Sequence, residues 1–461
     1  MEPGGSEVKT IVIAATMAGA AFAAGAQDTR TVKEPVFPPA CVVLKAELPA
    51  PIAFADETKL DTARLQDAIN HCAPGNAVKL VADGQHKAFL SGPIELKTGV
   101  TLLVDAGVTL FGSRDPRQYE KSPGSCGIVD DKKGGCRPLI TASHAPNIGI
   151  MGDGVIDGRG GAKLIVDGKE TGKSWWDLAE DARKGGSQEV PRLITTESCD
   201  NLTFYRITLK NSANFHVVPH HSDGITVWGM KIDTPGTGAR NTDGFDPSAS
   251  KNITVTHSFI RDGDDNIAIK AGDGPVTNMT VSHNHFYWGH GMSIGSETMG
   301  TVSNLLVTDL SLDGTTSGIR IKSNASRGGL VHDVTYDNVC IRNSSRPIDI
   351  STEYSAAGSL QGNKLPIFRD ITLHNVRISG GGTVLLNAYD NTHRLGIRFD
   401  NVLFTDNPGS YKYKVNHADI TFGPGPVNLQ PKGEDSTLKG TAGSGKPESC
   451  DAMFVPFPVT R

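Results

Sequence analysis

The chain has 461 residues, which exceeds the usual size of one globular domain, so two domains would be the default expectation. Only 21% of the residues are charged and the formal net charge is −5. General nucleic-acid binding relies on a basic surface, so this chain is a poor candidate for it. An anionic ligand would have to be held by a local cluster of basic side chains.

The first residues are typical of an export signal. Lys9 precedes an apolar run from Ile11 to Ala24, and Ala24-Gly25-Ala26 fits a cleavage site made of small residues. No other stretch of the sequence approaches the roughly 20 apolar residues of a membrane span. We therefore predict a signal peptide over 1–26, a secreted, extracellular protein and no membrane partner.

The chain has seven cysteines, and an exported protein can form disulfides. Cys126 and Cys136 flank a short loop and could staple it, while Cys41 and Cys72 could tie down the N-terminal segment. The odd count leaves at least one free thiol. No C-x-x-C pair occurs, which argues against a zinc site, and we expect neither a metal nor a cofactor. The remaining positions are Cys199 and Cys340, which lie near strand-like runs where simple burial would account for them, and Cys450, which could hold the C-terminal tail.

After an N-terminal extension over 27–59, one segment carries a helical pattern. Leu65, Ala68 and Ile69 fall at helical spacing between Asp61 and Cys72. Asp61 or the next residue, Thr62, could cap the first turn. Such a helix would cover the end of a repetitive fold, which needs a cap.

Short β-branched runs then recur along the chain. They begin after Asn, Asp or Gly, and from Leu202 onward they follow one another at intervals of 23 to 37 residues, while a longer insertion follows the earlier start at Ile148. A second short run follows each start by about a dozen residues, as in Ile267-Ala268-Ile269 and Met292-Ser293-Ile294. The starts are Ile148, Leu202, Ile225, Ile253, Met279, Leu305, Val334, Ile371 and Ile397.

This periodicity predicts an all-β solenoid. Apolar and polar residues alternate as in half-buried strands, and no helical pattern separates the runs, which argues against βαβ units. A β-propeller would need about 40–50 residues per blade, which is longer than these intervals. We predict a single right-handed parallel β-helix over 60–423 with an N-terminal capping helix, followed by an irregular tail over 424–461.

Polar residues at equivalent positions of successive coils should align on one face of the solenoid. Asp264 and His290 each lie 11 residues after their coil start, so we expect them to be neighbours. Asp265 adjoins Asp264, and Asp243 comes 18 residues into a coil that carries an extra loop. One face therefore collects three carboxylates and an imidazole.

Two cations join this face. Arg320 and Lys322 are spaced by two residues, so both point to the same side of a strand. Cleavage of a glycosidic bond needs an acid that protonates the leaving oxygen and a base or nucleophile on the opposite side. Because several carboxyls are crowded together here, at least one of them should have a raised pKa and could serve as the acid. Because Arg and Lys bind carboxylates, the cluster predicts an acidic sugar polymer as the substrate.

The motifs that hold these residues resemble those of a known family. Asn241-Thr242-Asp243-Gly244, Gly263-Asp264-Asp265-Asn266, Gly289-His290-Gly291 and Arg320-Ile321-Lys322 have the order and spacing of the polygalacturonases, glycoside hydrolase family 28. The resemblance runs from about Leu60 to Phe404 and is greatest to bacterial endo-acting members. It implies a right-handed parallel β-helix that hydrolyses α-1,4-galacturonosidic bonds of polygalacturonate with inversion.

The resemblance also implies roles for single residues. Asp264 would be the general acid, Asp243 and Asp265 would activate the water, and His290 would tune the acid or steady the network. Asn266 stands where many fungal members have Cys, and we expect no chemistry from it. The substrate-binding residues would be Arg320 and Lys322, which grip galacturonate carboxylates, Tyr354 in Ser351-Thr352-Glu353-Tyr354, which matches a Tyr beside the cleft, and Asn241.

Several alternatives stay open at the level of sequence. An exo-acting relative, or one that cuts substituted pectin, would share these motifs. A calcium-dependent β-helical pectate lyase could also use the two cations, and a β-helical adhesin could bind a polysaccharide without cutting it. Coils about 4.8 Å apart bring carboxyls closer than the roughly 6.5–9.5 Å typical of inversion, so the expected inversion rests on the resemblance. We expect a monomer.

Overall fold

The computed structural model describes residues 27–131, 134–433 and 435–459. The signal peptide expected over 1–26 lies outside the described residues. Within these ranges, no helix is long and apolar enough to cross a membrane.

The described chain is built mainly of short strands. The α-helices are α1 (Thr62–His71) and α2 (Trp175–Asp181). The strands up to α2 are β1 (Ala40–Lys45), β2 (Leu48–Pro49), β3 (Ala77–Val81), β4 (His86–Ser91), β5 (Ile94–Glu95), β6 (Thr101–Val104), β7 (Thr109–Gly112), β8 (Ile128–Asp130), β9 (Ile140–Ser143), β10 (Gly149–Met151), β11 (Val155–Asp157), β12 (Lys163–Val166) and β13 (Lys169–Ser174). The next strands are β14 (Ser187–Glu189), β15 (Ile194–Glu197), β16 (Leu202–Tyr205), β17 (Thr208–Lys210), β18 (Val217–His220), β19 (Asp223–Trp228), β20 (Lys231–Asp233), β21 (Lys251–Thr256), β22 (Phe259–Arg261), β23 (Ile267–Ile269), β24 (Val276–Phe286) and β25 (Met292–Ile294). The last are β26 (Val302–Asp313), β27 (Ser317–Lys322), β28 (Leu330–Arg342), β29 (Arg346–Ser351), β30 (Ile367–Phe368), β31 (Ile371–Ser379), β32 (Gly382–Asn387), β33 (Leu395–Phe404), β34 (Tyr411–Asn416), β35 (Ala418–Phe422) and β36 (Ser436–Lys439).

The predicted coil starts pair with one another in a continuous parallel register. Ile253 pairs with Ile225 on one side and with Met279 on the other, and the same step continues to the next coils. Parallel crossover connections are almost always right-handed, and the strands wind into a right-handed parallel β-helix. The fold prediction is confirmed, and so are the coil starts at Leu202, Ile225, Ile253, Met279, Leu305, Val334, Ile371 and Ile397. The earlier start, Ile148, directly precedes β10.

Asn residues turn the chain into several of the coils. Asn252, Asn278 and Asn304 have φ angles of 54°, 58° and 55°, a left-handed conformation that Asn tolerates better than most residues. Their side chains form a ladder, in which Asn278 Nδ2 donates to Asn252 Oδ1 at 3.3 Å and Asn304 Nδ2 to Asn278 Oδ1 at 3.0 Å. This ladder explains why the β-branched runs begin directly after a turn residue.

A separate wall of the solenoid positions the candidate site. β5, β9, β15 and β18 form its first part, and β23, β25, β27, β29, β32 and β34 form its second part. Phe245 bridges both parts, because it pairs with Val217 and with Ile267. We call this wall the site sheet. Alternate residues such as Ile319 and Ile321 are fully buried in the core, so the residues between them face outward.

Helix α1 closes the N-terminal end of the core, as predicted. Leu65 and Ile69 are fully buried against the first coils. The expected side-chain cap is wrong. Asp61 instead accepts a hydrogen bond from the Leu90 backbone N–H at 3.0 Å, and Thr62 Oγ1 accepts one from the Gly92 N–H at 2.8 Å. These polar side chains fasten the helix to strand β4 and to the residue after it, while the other Asp61 oxygen accepts from the Arg64 side chain.

The start of the N-terminal extension lies along the outside of the coils. Asp28 is 6% exposed, its N–H donates to Thr280 Oγ1 at 2.9 Å, and its carboxylate accepts from Thr254 Oγ1 at 2.8 Å. Further on, β1 adds a parallel strand to β3. Both ends of the extension therefore pack on the solenoid.

The C-terminal tail is less irregular than the sequence suggests. Strand β36 pairs with β35 in parallel and adds one more step to the stack. The expected Cys41–Cys72 and Cys126–Cys136 disulfides are present, and Cys199 is a buried free thiol. The expectation of a simply buried Cys340 is wrong, because Cys340 forms a disulfide with Cys450 and so holds the tail.

The role of α1 as a cap makes a stability prediction. Leu65→Ala should lower the free energy of unfolding by about 2–5 kcal/mol, because it opens a cavity between the helix and the first coil. Urea unfolding followed by circular dichroism measures the change. Asp67→Asn, on the exposed side of the same helix, is the control and should change it by less than about 0.5 kcal/mol. Equal effects of both substitutions would contradict the capping role.

Candidate active site

The predicted catalytic residues lie in the turns that lead into the site sheet. The Gly244 N–H, next to Asp243, donates to the Asp265 carbonyl oxygen at 2.9 Å. The His290 N–H donates to the Asp264 carbonyl oxygen at 2.6 Å. Asp243, the Asp264–Asp265 pair and His290 therefore stand on three successive coils, and the predicted contact of Asp264 with His290 is confirmed.

Asp265 is held as an anion by two cations. Its side chain is 1% exposed, and its carboxylate lies 2.5 Å from Lys322 Nζ and 3.0 Å from Arg320 Nη1. Ser293 Oγ adds a hydrogen bond of 2.7 Å. Burial acts to raise the pKa of Asp265, but the charges of Lys322 and Arg320 outweigh it and hold that pKa well below its usual range. Asp265 is therefore suited to remain ionised.

Asp264 is bound from two sides. His290 Nδ1 lies 2.9 Å from Asp264 Oδ1, and Asn241 Nδ2 donates to Asp264 Oδ2 at 3.3 Å. Burial acts to raise the pKa of Asp264. The hydrogen bond from His290 and the charges of His290 and Lys322 outweigh burial, so that pKa lies below its usual value. These interactions therefore favour the ionised form of Asp264 in the free protein.

Asp243, unlike Asp264 and Asp265, has a raised pKa. Its side chain is 3% exposed, its Oδ1 has no hydrogen-bond partner among the described residues, and its Oδ2 lies 3.6 Å from Lys270 Nζ. Burial, followed by the charges of Asp264 and Asp246, raises the pKa of Asp243 well above its usual value. Crowding therefore raises the pKa of one of the three carboxyls, as predicted, but in the free protein this carboxyl is Asp243 rather than Asp264.

Arg320 and Lys322 point to the same side of β27, as their spacing predicts. Besides Asp265, Arg320 Nε lies 3.4 Å from an Asp349 oxygen. The Tyr354 ring covers both cations, with its centroid 5.6 Å from the Arg320 guanidinium carbon and 5.0 Å from Lys322 Nζ. These three side chains form one edge of the cluster, and their binding of substrate stays a prediction.

Asn241 joins the cluster to an adjoining groove. Its Oδ1 accepts a hydrogen bond from Gln188 Nε2 at 3.2 Å, while its Nδ2 reaches Asp264. The groove has a volume of about 790 Å³. Its acidic side chains include Glu297, which pairs with Arg327. Its basic side chains are Lys121, Arg192, Arg240 and Arg327, none of which the sequence analysis singled out.

Asn266 has a structural role. Its Nδ2 donates to the Trp288 carbonyl oxygen at 3.0 Å, and its Oδ1 accepts from the Gly291 N–H at 3.0 Å. These bonds hold the turns around His290 against the coil that carries Asp264. The expectation that Asn266 performs no chemistry stays a prediction.

Sequence reasoning missed three polar residues of the cluster. Ser293 is the outward residue between two apolar strand residues and pairs with Arg320 in the sheet. Lys270 follows the run Ile267-Ala268-Ile269 and continues its alternation. The same period of two would have predicted that its side chain faces outward, as in Arg320 and Lys322. Asp246 lies three residues after Asp243, is fully buried, and has no hydrogen-bond partner for either oxygen in the described chain.

Three potential metal ligands meet in this cluster. Ligand atoms of Asp264, Asp265 and His290 lie within 4.8 Å of one another. Lys322 and Arg320 already neutralise Asp265 at this point. Their positive charges would repel a divalent cation, so the residues fit a network of ion pairs better than a metal site.

Comparisons with known proteins agree with this geometry. Residues 72–421 match the model of the family described as glycosyl hydrolases family 28. An endo-polygalacturonase of Pectobacterium carotovorum subsp. carotovorum is 46% identical over 82% of this chain and 90% of the relative, and a polygalacturonase of Ralstonia solanacearum is 37% identical over 96% of this chain and 97% of the relative. The solved polygalacturonase from Erwinia carotovora ssp. carotovora matches with a TM-score of 0.79 and 43% identity, covering 86% of this chain and 100% of that structure. The chain therefore belongs to glycoside hydrolase family 28.

Proposed function

We propose that the protein is a secreted endo-polygalacturonase that hydrolyses α-1,4-galacturonosidic bonds of polygalacturonate with inversion. The observation that carries this proposal is the cluster itself, in which three carboxyls and His290 adjoin Arg320 and Lys322. The names of the most similar relatives support the substrate and the endo mode. Three disulfides and the predicted signal peptide support export to an oxidising compartment.

In the proposed mechanism Asp264 donates a proton to the glycosidic oxygen. The bond between that oxygen and the anomeric carbon breaks as the oxygen of a water molecule bonds to the same carbon. Asp243 and Asp265 position this water, and one of them, in its ionised form, accepts the proton that the water loses. His290, at 2.9 Å from Asp264, orients the acid and tunes its proton affinity.

This mechanism requires a proton on Asp264 and an ionised carboxyl beside the water. The pKa directions of the free protein favour the ionised form at Asp265 but not at Asp243, and they disfavour a proton on Asp264. A galacturonate carboxylate beside Arg320 and Lys322 would offset part of their positive charge. The pKa of Asp264 would then rise when substrate binds, because its anion would lose stabilisation. The reversed assignment, with Asp243 as the acid, follows the charges of the free protein directly, so the two carboxyls need to be tested against each other.

Substitution of Asp264 tests the acid. Asp264→Asn should lower kcat on polygalacturonate by about 10²–10⁴-fold, because the leaving oxygen would depart as an alkoxide. On an oligogalacturonide with a nitrophenol leaving group the loss should be much smaller, because this leaving group needs little protonation. Asp243→Asn is the matched variant and should lose activity equally on both substrates. If the leaving group rescues Asp243→Asn instead, the two roles are reversed.

The pattern of products tests the mode of cleavage and the reaction class. With polygalacturonate and a chelator present, viscosity should fall early while few reducing ends have formed, and mixed oligomers should appear. Release of only mono- or digalacturonate would indicate an exo-acting enzyme. Unsaturated products that absorb in the near ultraviolet, or loss of activity with the chelator, would indicate a calcium-dependent lyase.

The anomeric form of the first product tests the stereochemistry. Proton NMR during the first turnovers should show the β-anomer at the new reducing end, because water attacks the face opposite the leaving oxygen. Initial formation of the α-anomer would reject inversion. It would also require one of the three carboxylates to act as a nucleophile.

A further inference from the structure

Asp246, which is buried, and Lys270, which is partly exposed, are titratable groups that the proposed mechanism does not use. Asp246 follows Phe245, which bridges the two parts of the site sheet, and its side chain is fully buried. Neither of its carboxyl oxygens has a hydrogen-bond partner among the described side chains and backbone. A buried carboxyl without hydrogen-bond partners lowers the stability of the fold, so the presence of Asp246 beside Asp243 needs a reason.

Lys270 lies between Asp246 and Asp243. Its Nζ is 3.7 Å from Asp246 Oδ2 and 3.6 Å from Asp243 Oδ2, and its side chain is 20% exposed. One ammonium group therefore faces two carboxyls that can each become anionic. A single positive charge cannot compensate two buried negative charges, so the two carboxyls compete for it.

We propose that Lys270 and Asp246 are positioning residues that act through Asp243, in which Lys270 favours a negative charge on Asp243 and Asp246 competes for the same ammonium group. The proposal rests on the proposed function, because it assumes that Asp243 exchanges a proton during hydrolysis. Neither residue needs to touch the substrate. Together they set the pH at which Asp243 can work.

The charges around the pair agree with this arrangement. Burial raises the pKa of Asp246 to about 7, against the charges of Lys270 and Arg192. Burial acts to lower the pKa of Lys270, but the charges of Asp246 and Asp243 outweigh it and raise that pKa, so Lys270 stays protonated. The other charged or titratable groups that face the pair are Asp264, Asp265, His220 and Glu297.

The pair adjoins a small pocket of about 220 Å³, which raises a competing explanation. Arg192, His220, Ser248 and Glu297 line it together with Asp246 and Lys270. A sugar in this pocket could contact Lys270 directly. Loss of such a contact would alter the KM for polygalacturonate, but it would not shift the acidic or alkaline side of the pH profile of kcat.

Two variants with opposite expected effects test the proposal. If Asp243 must be ionised to accept a proton from water, kcat should rise with pH as Asp243 ionises, and this rise forms the acidic limb of the pH profile. Lys270→Met should move this limb to higher pH by about one unit or more, because Asp243 loses a cation within 4 Å. Asp246→Asn should move the limb to lower pH, because Asp243 then has the ammonium group to itself. No shift, or shifts in the same direction, would overturn the proposal.

Controls separate this effect from misfolding. Lys270→Arg keeps the charge and should keep the limb near its wild-type position. The surface pair of Lys251 and Asp223, 3.3 Å apart, offers Lys251→Met and Asp223→Asn, which should move neither limb. Thermal unfolding by circular dichroism checks each variant, and if Lys270→Met does not fold, the shift of Asp246→Asn relative to Asp223→Asn decides.

The outcome also separates this proposal from the proposed function. Wild-type protein that does not hydrolyse polygalacturonate would reject the proposed function. An active wild type whose variants change only KM would reject the pair as positioning residues. If Lys270→Met and Asp246→Asn shift the alkaline limb of the kcat pH profile in opposite directions, and leave the acidic limb in place, Lys270 and Asp246 act through Asp243 as proposed. Asp243 would then be the proton donor.

Discussion

The parallel register of the coils is the constraint on which the rest of the structure depends. Successive coils lie about 4.8 Å apart, and side chains alternate between the inside and the outside of each wall. Residues 26 positions apart in sequence, such as Asp264 and His290, therefore meet at hydrogen-bond distance. The same alternation buries Ile319 and Ile321 and turns Arg320 and Lys322 outward. Core and candidate active site follow from one geometric rule, so a slip by one residue would disrupt both.

Stacking at this spacing forces charged residues together, and the distribution of cations then decides which carboxyl is ionised. Asp265 has Lys322 and Arg320 within 3.0 Å. Asp243 has Lys270 at 3.6 Å and must share it with Asp246. The backbone places these acids side by side, but their protonation differs because the number of positive charges around each one differs. Chemically identical side chains can therefore take different roles because their charged neighbours differ.

Much of this could be read from the sequence because the register is periodic. The coil starts and the contact between Asp264 and His290 needed only intervals, and Arg320 and Lys322 needed only a period of two. The Cys340–Cys450 disulfide is different, because the path of the tail follows no repeat. Asp61 is a residue type that often caps helices, but its carboxylate instead accepts from the Leu90 N–H of strand β4 and from the Arg64 side chain. The low pKa of Asp264 depends on a sum of charges through space, which spacing along one strand does not give.

The electrostatics of the free protein and the proposed acid role of Asp264 are compatible if the substrate itself changes the charge balance. The proposed substrate is an anion, and the cations that lower the pKa of Asp264 and Asp265 are those expected to receive it. In the proposed mechanism, each galacturonate carboxylate that approaches Lys322 would reduce the stabilisation of the Asp264 anion, so substrate binding would favour protonation of the acid. Asp265, held by Arg320, Lys322 and Ser293 together, would lose a smaller share of its stabilisation and could act as the base. An uncharged sugar polymer would bring no such change, and Asp264 would keep its unprotonated state, which links selectivity for an acidic polymer to the chemistry rather than to binding alone.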